Sequence, residues 1–184
     1  MGNEKHLMVD IEALSTEPNG LITTVGCVLF NIDTGLILKA REYNLSWQDQ
    51  RGRDVKKDTL CWWFKQSTDA QNSITSKENE VSVAQFYVDF KEEFCKGITK
   101  AWAKSPGFDY GMLDNLFKNK GMQSPIPFRK IADCRDLYYL AKKFKIDLPD
   151  KGERLAHNAL SDALGQTEDT CAVFKRLREA ISHG

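Results

Sequence analysis

Two extended runs, 22–32 and 36–45, are joined by no more than the turn Asn31-Ile32-Asp33-Thr34-Gly35, so an antiparallel hairpin is the natural fold of this stretch. The first run is rich in β-branched residues (Thr23, Thr24, Val25, Val28). A shorter apolar run, Leu7-Met8-Val9-Asp10-Ile11, precedes it across a segment of loop composition, Ser15-Thr16-Glu17-Pro18-Asn19-Gly20. The first third of the chain is therefore expected to supply three strands. After Trp47 the pattern turns charged and helical, with Val83, Phe86, Phe90 and Phe94 forming one stripe that Gly97 ends.

A buried strand is expected over 98–103, broken by Ser105-Pro106-Gly107, with a helix over 110–118 and Gly121 beyond its end. One more strand over 128–132 leads into a helix over 136–145. A final helix over 159–180 buries Ala163, Leu164, Thr167, Ala172, Phe174 and Leu177. Strands first, then alternation, then a closing helix predicts an α/β fold, a mixed five-stranded sheet with helices on both faces. The 184 residues, 41% hydrophobic, suit a single domain spanning 1–184.

No apolar run has membrane-spanning length, and the polar start does not read as a signal peptide. Five scattered cysteines (Cys27, Cys61, Cys95, Cys134, Cys171) argue for reduced thiols in a cytoplasm, most of them small core residues. Lys plus Arg and Asp plus Glu both number 26, so the chain lacks the basic excess of a protein that holds duplex nucleic acid by bulk charge.

Three features carry chemistry. Alternation along a strand puts Asp10 and Glu12 on one face with Ile11 turned into the core, an arrangement that costs stability unless a cation lies between the carboxylates. Oxygen ligands of this kind suit Mg²⁺ or Mn²⁺. At the start of the last helix, His157-Asn158-Ala159-Leu160-Ser161-Asp162-Ala163 puts a histidine just ahead of the helix and an aspartate one to two turns in, with alanines small enough for close packing. Third, Pro106-Gly107-Phe108-Asp109 follows a strand end and would put Asp109 at the rim of the sheet, where open α/β folds keep their sites. Asp114 falls inside the next helix and reads as a surface residue, Phe108 as core. His6 and His183, near the chain ends, read as exposed. Taken singly, each feature also fits an exposed pair at a strand end or a plain helix N-terminus; their order and spacing together favour a site.

In that order and spacing the residues resemble the DEDDh exonucleases, the ribonuclease T-like superfamily with a ribonuclease H-like fold. Asp10-Ile11-Glu12, Asp109 and His157-x-x-x-x-Asp162 match its pattern, and Asn158 occupies the slot where the related branch carries tyrosine. Segments 59–66, 102–109 and 134–137 are similar to a compact subgroup that includes phage exonuclease A and a bacterial 3′-to-5′ exoribonuclease. Ser105-Pro106-Gly107 departs from the Asn-x-x-Phe-Asp approach of many superfamily members.

The resemblance implies a 3′-to-5′ exonuclease that uses two divalent cations, Mg²⁺ or Mn²⁺, and releases nucleoside 5′-monophosphates from single strands. By it, Asp10, Glu12 and Asp162 hold one metal, Asp10 bridges to a second that Asp109 completes, and His157 is the general base. Ala13, Leu14 and Ser15 would cradle the terminal nucleotide; either Trp62 or Trp63 would stack on a base while its neighbour packs. Arg135 would touch phosphate or pair with Asp133 or Asp136, and Lys104 reads as solvated. Several relatives are dimers, which allows a homodimer here. The alternatives are a catalytically silent nucleic-acid- or partner-binding module on this fold, a ribonuclease H-like endonuclease or integrase-type transferase, and a nonenzymatic interaction domain. No residue is seen to read a 2′-hydroxyl, so RNA and DNA both remain open.

Overall fold

The protein was studied as a computed structural model that describes residues 4–150 and 155–182. Three long strands open it: β1 (Lys5–Ala13), β2 (Ile22–Asn31) and β3 (Ile37–Leu45). At the β2–β3 turn Asn31 Oδ1 accepts from the backbone N–H groups of Asp33 and Thr34, which fixes the expected hairpin. Helices α1 (Lys57–Trp63) and α2 (Thr68–Thr75) follow, then a two-residue strand β4 (Glu80–Val81) and helix α3 (Val83–Asp89). The aromatic stripe holds: Val83, Phe86, Phe90 and Phe94 are all buried, although the helix widens into a π-type turn over Phe90–Phe94. The rest is β5 (Ile98–Ala103), α4 (Pro106–Asn119), β6 (Ile131–Asp133), α5 (Cys134–Lys143) and α6 (Ala159–Ser182).

The strands form one mixed sheet of order β4-β3-β2-β1-β5-β6, in which β2 alone runs against the others. The sheet has six strands rather than five, because Glu80–Val81 adds a short edge beside Asn44 and Leu45. Two residues of mixed polarity carry no periodicity, so such an edge leaves no mark in sequence.

One face of the sheet, with Leu7, Val9 and Ile11 of β1, packs against the aromatic stripe and α4. The other, with Met8, Val28 and Phe30, packs against α5 and α6. A third small cluster (Leu14, Leu21, Trp63, Ala70, Ile74) sits under α1 and α2. No helix among the described residues is long and apolar enough to cross a membrane.

Three local expectations change. Pro106 opens α4 instead of ending a loop, since its missing N–H costs nothing at the first helical position, so Asp109 lies in the first helical turn. The segment Phe128–Lys130 is a 3-10 turn, and only Ile131–Asp133 pairs as strand. His6, expected to be exposed, is 3% exposed, because β1 is an interior strand however close it lies to the chain start. Its Nδ1 accepts from Trp102 Nε1 at 2.8 Å, and burial lowers its pKa. His183 lies outside the described residues. All five cysteines are free; Cys27 and Cys134 are buried and Cys61 is exposed.

Candidate active site

Asp10 and Glu12 emerge from β1 on the face covered by α6, with Ile11 pointing into the opposite core. A register shift between Glu12 and Ala13 ends the regular pairing with β2 just past the second carboxylate. Asp109 reaches the same place from α4: its Oδ1 accepts from Ile11 N at 3.2 Å and its Oδ2 from Ser105 N at 3.3 Å. It is 3% exposed and bound to the backbone between Asp10 and Glu12. Asp162 and His157 arrive with the start of α6, and ligand atoms of Glu12, His157 and Asp162 all lie within 4.8 Å of one another. All five of these residues line one cavity of about 640 Å³.

The start of α6 is seated on a single row of the sheet, Asp10–Gly26–Glu42, one residue from each of β1, β2 and β3. Gly26 is what allows the approach: a Cβ there would lie 2.2 Å from the Ala159 carbonyl oxygen. Glu42 Oε2 accepts from Leu160 N at 3.2 Å and from Asn158 Nδ2 at 2.9 Å, tying the helix start to β3. Asn158 Oδ1 caps the helix by accepting from Ser161 N at 2.9 Å. Just before the cap, His157 has φ +61°, a left-handed conformation uncommon for a non-glycine residue, and its N–H donates to Asp162 Oδ2 at 3.1 Å. The turn that aims the imidazole is thus fastened to the aspartate beside it.

Burial, then the neighbouring carboxylates, raise the pKa of Asp10 well above the ordinary range. Burial followed by Asp162, Asp109 and Glu42 pushes Glu12 up to about 8. Burial pushes Asp109 up to about 7, against the pull of its backbone hydrogen bonds. The charges acting most strongly on Asp10 and Glu12 are all carboxylates. Such a cluster of hard oxygen donors with one imidazole fits a divalent cation, which would supply the missing positive charge.

These folded-state values lie above those of the unfolded chain, so the cation-free protein holds the associated stability at about pH 4 and loses it as pH rises through 7 and 8. In EDTA, Tm is therefore expected to fall between pH 5.5 and 8.5 by about 5 °C or more. Mn²⁺ should raise Tm more at pH 8.5 than at 5.5, because the ion replaces protons. Scanning calorimetry checks this; Mn²⁺ effects equal at both pH values would contradict it.

The two tryptophans divide as their adjacency suggests. Trp63 is 2% exposed and donates from Nε1 to the Ala13 carbonyl at 3.0 Å, whereas Trp62 is 42% exposed with its ring centroid 4.8 Å from that of His157. Ala13, Leu14 and Ser15, which directly follow Glu12, are buried. Leu14 packs in the third cluster, and Ser15 Oγ donates to Asp54 Oδ2 at 2.5 Å. Past the register shift their side chains pack beside α1, where Trp63 Nε1 donates to the Ala13 carbonyl. Arg135 lines the cavity but is paired with Asp133, its Nε 3.0 Å from both carboxylate oxygens. Lys104 is exposed at the cavity wall. Phe108 also lines the cavity and is only partly buried, while Asp114 pairs with Lys118 at 2.6 Å.

Sequence reasoning missed Gln166, Asp169, Tyr138 and Glu42. The first three line the cavity, with Tyr138 hydrogen-bonded to Asp169. Gln166 and Asp169 follow Asp162 at four and seven residues, the spacing of one helix face, and that was the signal available.

No curated protein matches this chain. Among solved structures, the zinc-bound form of an E. coli exonuclease I–single-stranded DNA complex is similar, with TM-score 0.73 and 13% identity over 99% of this chain. E. coli exonuclease I with a dT13 oligonucleotide gives TM-score 0.71 and 13% identity over 98%. This chain spans 43% of the length of either exonuclease I chain. The likeness bears out the ribonuclease H-like fold, a mixed sheet flanked by helices. The family model for the 3′-5′ exoribonuclease Rv2179c-like domain matches residues 5–173. Nearly the whole chain, its carboxylates included, lies within that match, and the chain belongs to the Rv2179c-like 3′-5′ exoribonuclease domain family.

Proposed function

We propose that this cavity hydrolyses the terminal phosphodiester bond at the 3′ end of single-stranded nucleic acid and releases nucleoside 5′-monophosphates. The observation that carries the proposal is the convergence of Glu12, His157 and Asp162 within 4.8 Å in a cavity that Asp10 and Asp109 also line. Asp10, Glu12 and Asp162 would hold one Mg²⁺ or Mn²⁺, and Asp10 with Asp109 a second. Such a pair supplies an activated water and stabilises the leaving 3′-oxygen. His157 Nδ1 or Nε2 would take the proton from the attacking water as general base. Asp162 keeps the His157 turn in place through the backbone N–H it accepts. All five groups come from one chain.

His157→Ala is expected to lower kcat by on the order of 10²-fold or more, with metal-induced stabilisation retained. Single-turnover rates across pH check this, and a parental rate would remove His157 from the base role. Trp62, exposed with its ring against that of His157, is the platform on which a base stacks. Trp62→Ala should raise KM by ~5- to 100-fold, the equivalent of one lost base stack, and change kcat less. Steady-state kinetics on short single strands decide it, an unchanged KM counting against the platform.

RNA is the favoured substrate, because the family's description is that of an exoribonuclease; DNA is the second reading, since the E. coli exonuclease I structures hold DNA oligonucleotides. Matched 5′-labelled RNA and DNA strands incubated with Mn²⁺ test the proposal. A ladder shortening one nucleotide at a time, with 5′-monophosphates released, supports it. Internal cuts would favour an endonuclease, and no divalent-dependent cleavage would favour a silent binding module.

A further inference from the structure

We infer that Gln166 is a positioning residue that orients Asp10 for the cation, an inference resting on the metal site proposed above. Gln166 lies one turn beyond Asp162 on α6 and is 6% exposed. Its Nε2 donates to Asp10 Oδ1 at 2.7 Å. An ionised carboxylate only accepts, so the amide nitrogen must face it, and one Asp10 oxygen is thereby fixed in direction.

The choice of side chain follows from the chemistry. A lysine or arginine in this place would neutralise Asp10 and compete with the cation. The neutral amide stabilises the carboxylate and leaves its charge for the ion. The amide's other end points the same way. Gln166 Oε1 is buried with no hydrogen-bond donor among the described residues, although buried amide oxygens are normally satisfied. The residue lines the cavity, where a water bound to the ion would be a fitting donor.

Through this bond α6 carries both ends of the site: its start brings His157 and Asp162, and one turn later it clamps the carboxylate of β1. A residue that only packed α6 against β1 would be replaceable by any side chain of the same length. Gln166→Met keeps the length and removes the donor; Gln166→Asn keeps the amide but is too short to reach. Mn²⁺ binding to the purified full chain is measured by titration calorimetry and by metal-induced Tm shift, beside cleavage rates over a Mn²⁺ series.

Both variants are expected to melt near the parent in EDTA and to need about 10- to 100-fold more Mn²⁺ for half-maximal effect. Cleavage should recover substantially at saturating Mn²⁺. Should Gln166→Met fail to fold, Gln166→Asn decides alone. A variant that binds Mn²⁺ within twofold of the parent overturns the positioning role and leaves the metal site standing. A parent that binds no Mn²⁺ overturns the metal site and this inference together.

Discussion

Asp10→Asn is expected to lower cleavage by ~10³-fold or more, about 4 kcal/mol of barrier, while the protein in EDTA melts no lower than the parent. The two effects have one cause. Asp10 is buried among Glu12, Asp109 and Asp162, which all disfavour its charge, so removing that charge relieves repulsion in the cation-free protein. With the cation present the same substitution deletes the ligand proposed to be shared between both ions. Paired measurement of Mn²⁺-dependent nucleotide release and of Tm in EDTA separates this from general damage. A parental rate, or a large loss of Tm in EDTA, would contradict the assignment.

Gly26→Ala should be nearly as harmful without touching any catalytic group. The added methyl would stand 2.2 Å from the Ala159 carbonyl oxygen and 2.6 Å from Leu160 N, and both are backbone atoms at the start of α6. The helix must shift, at a cost of ~1–3 kcal/mol. His157 and Asp162 shift with it, and a displacement of about 1 Å at a catalytic centre can cost 10²-fold in rate. Gly111→Ala is the control, because a Cβ there meets nothing and alanine suits the helix interior better than glycine. It should hold or raise Tm at full activity, whereas Gly26→Ala should lose both; a parent-like Gly26→Ala would show that α6 does not rest on this row.

What was legible in the sequence was periodic or local. Strand alternation brings Asp10 and Glu12 to one face, the Asn31–Gly35 turn closes the hairpin, and the interval from His157 to Asp162 spans a helix start. What stayed illegible depends on which element crosses which. Gly26 looks like an ordinary glycine in a strand until α6 lies across it. Glu42 sits in a charged, exposed stretch of β3 and matters only because it pairs in the row with Gly26 and reaches Asn158 and Leu160. His6 lies near the chain start yet is buried, because β1 lies between β2 and β5. The packing of Leu14 was equally illegible, since it depends on Trp63 and Leu21, which lie elsewhere in the chain.

The most direct measurement is anomalous scattering from a crystal of the protein grown with Mn²⁺ and a nucleoside 5′-monophosphate. Two peaks ~3.5–4 Å apart are expected, one among Asp10, Glu12 and Asp162 and one between Asp10 and Asp109, with the phosphate across both. Mn²⁺ bound elsewhere, or no peak at these carboxylates while the nucleotide is present, would contradict the assignment of this cavity as a two-metal exonuclease site.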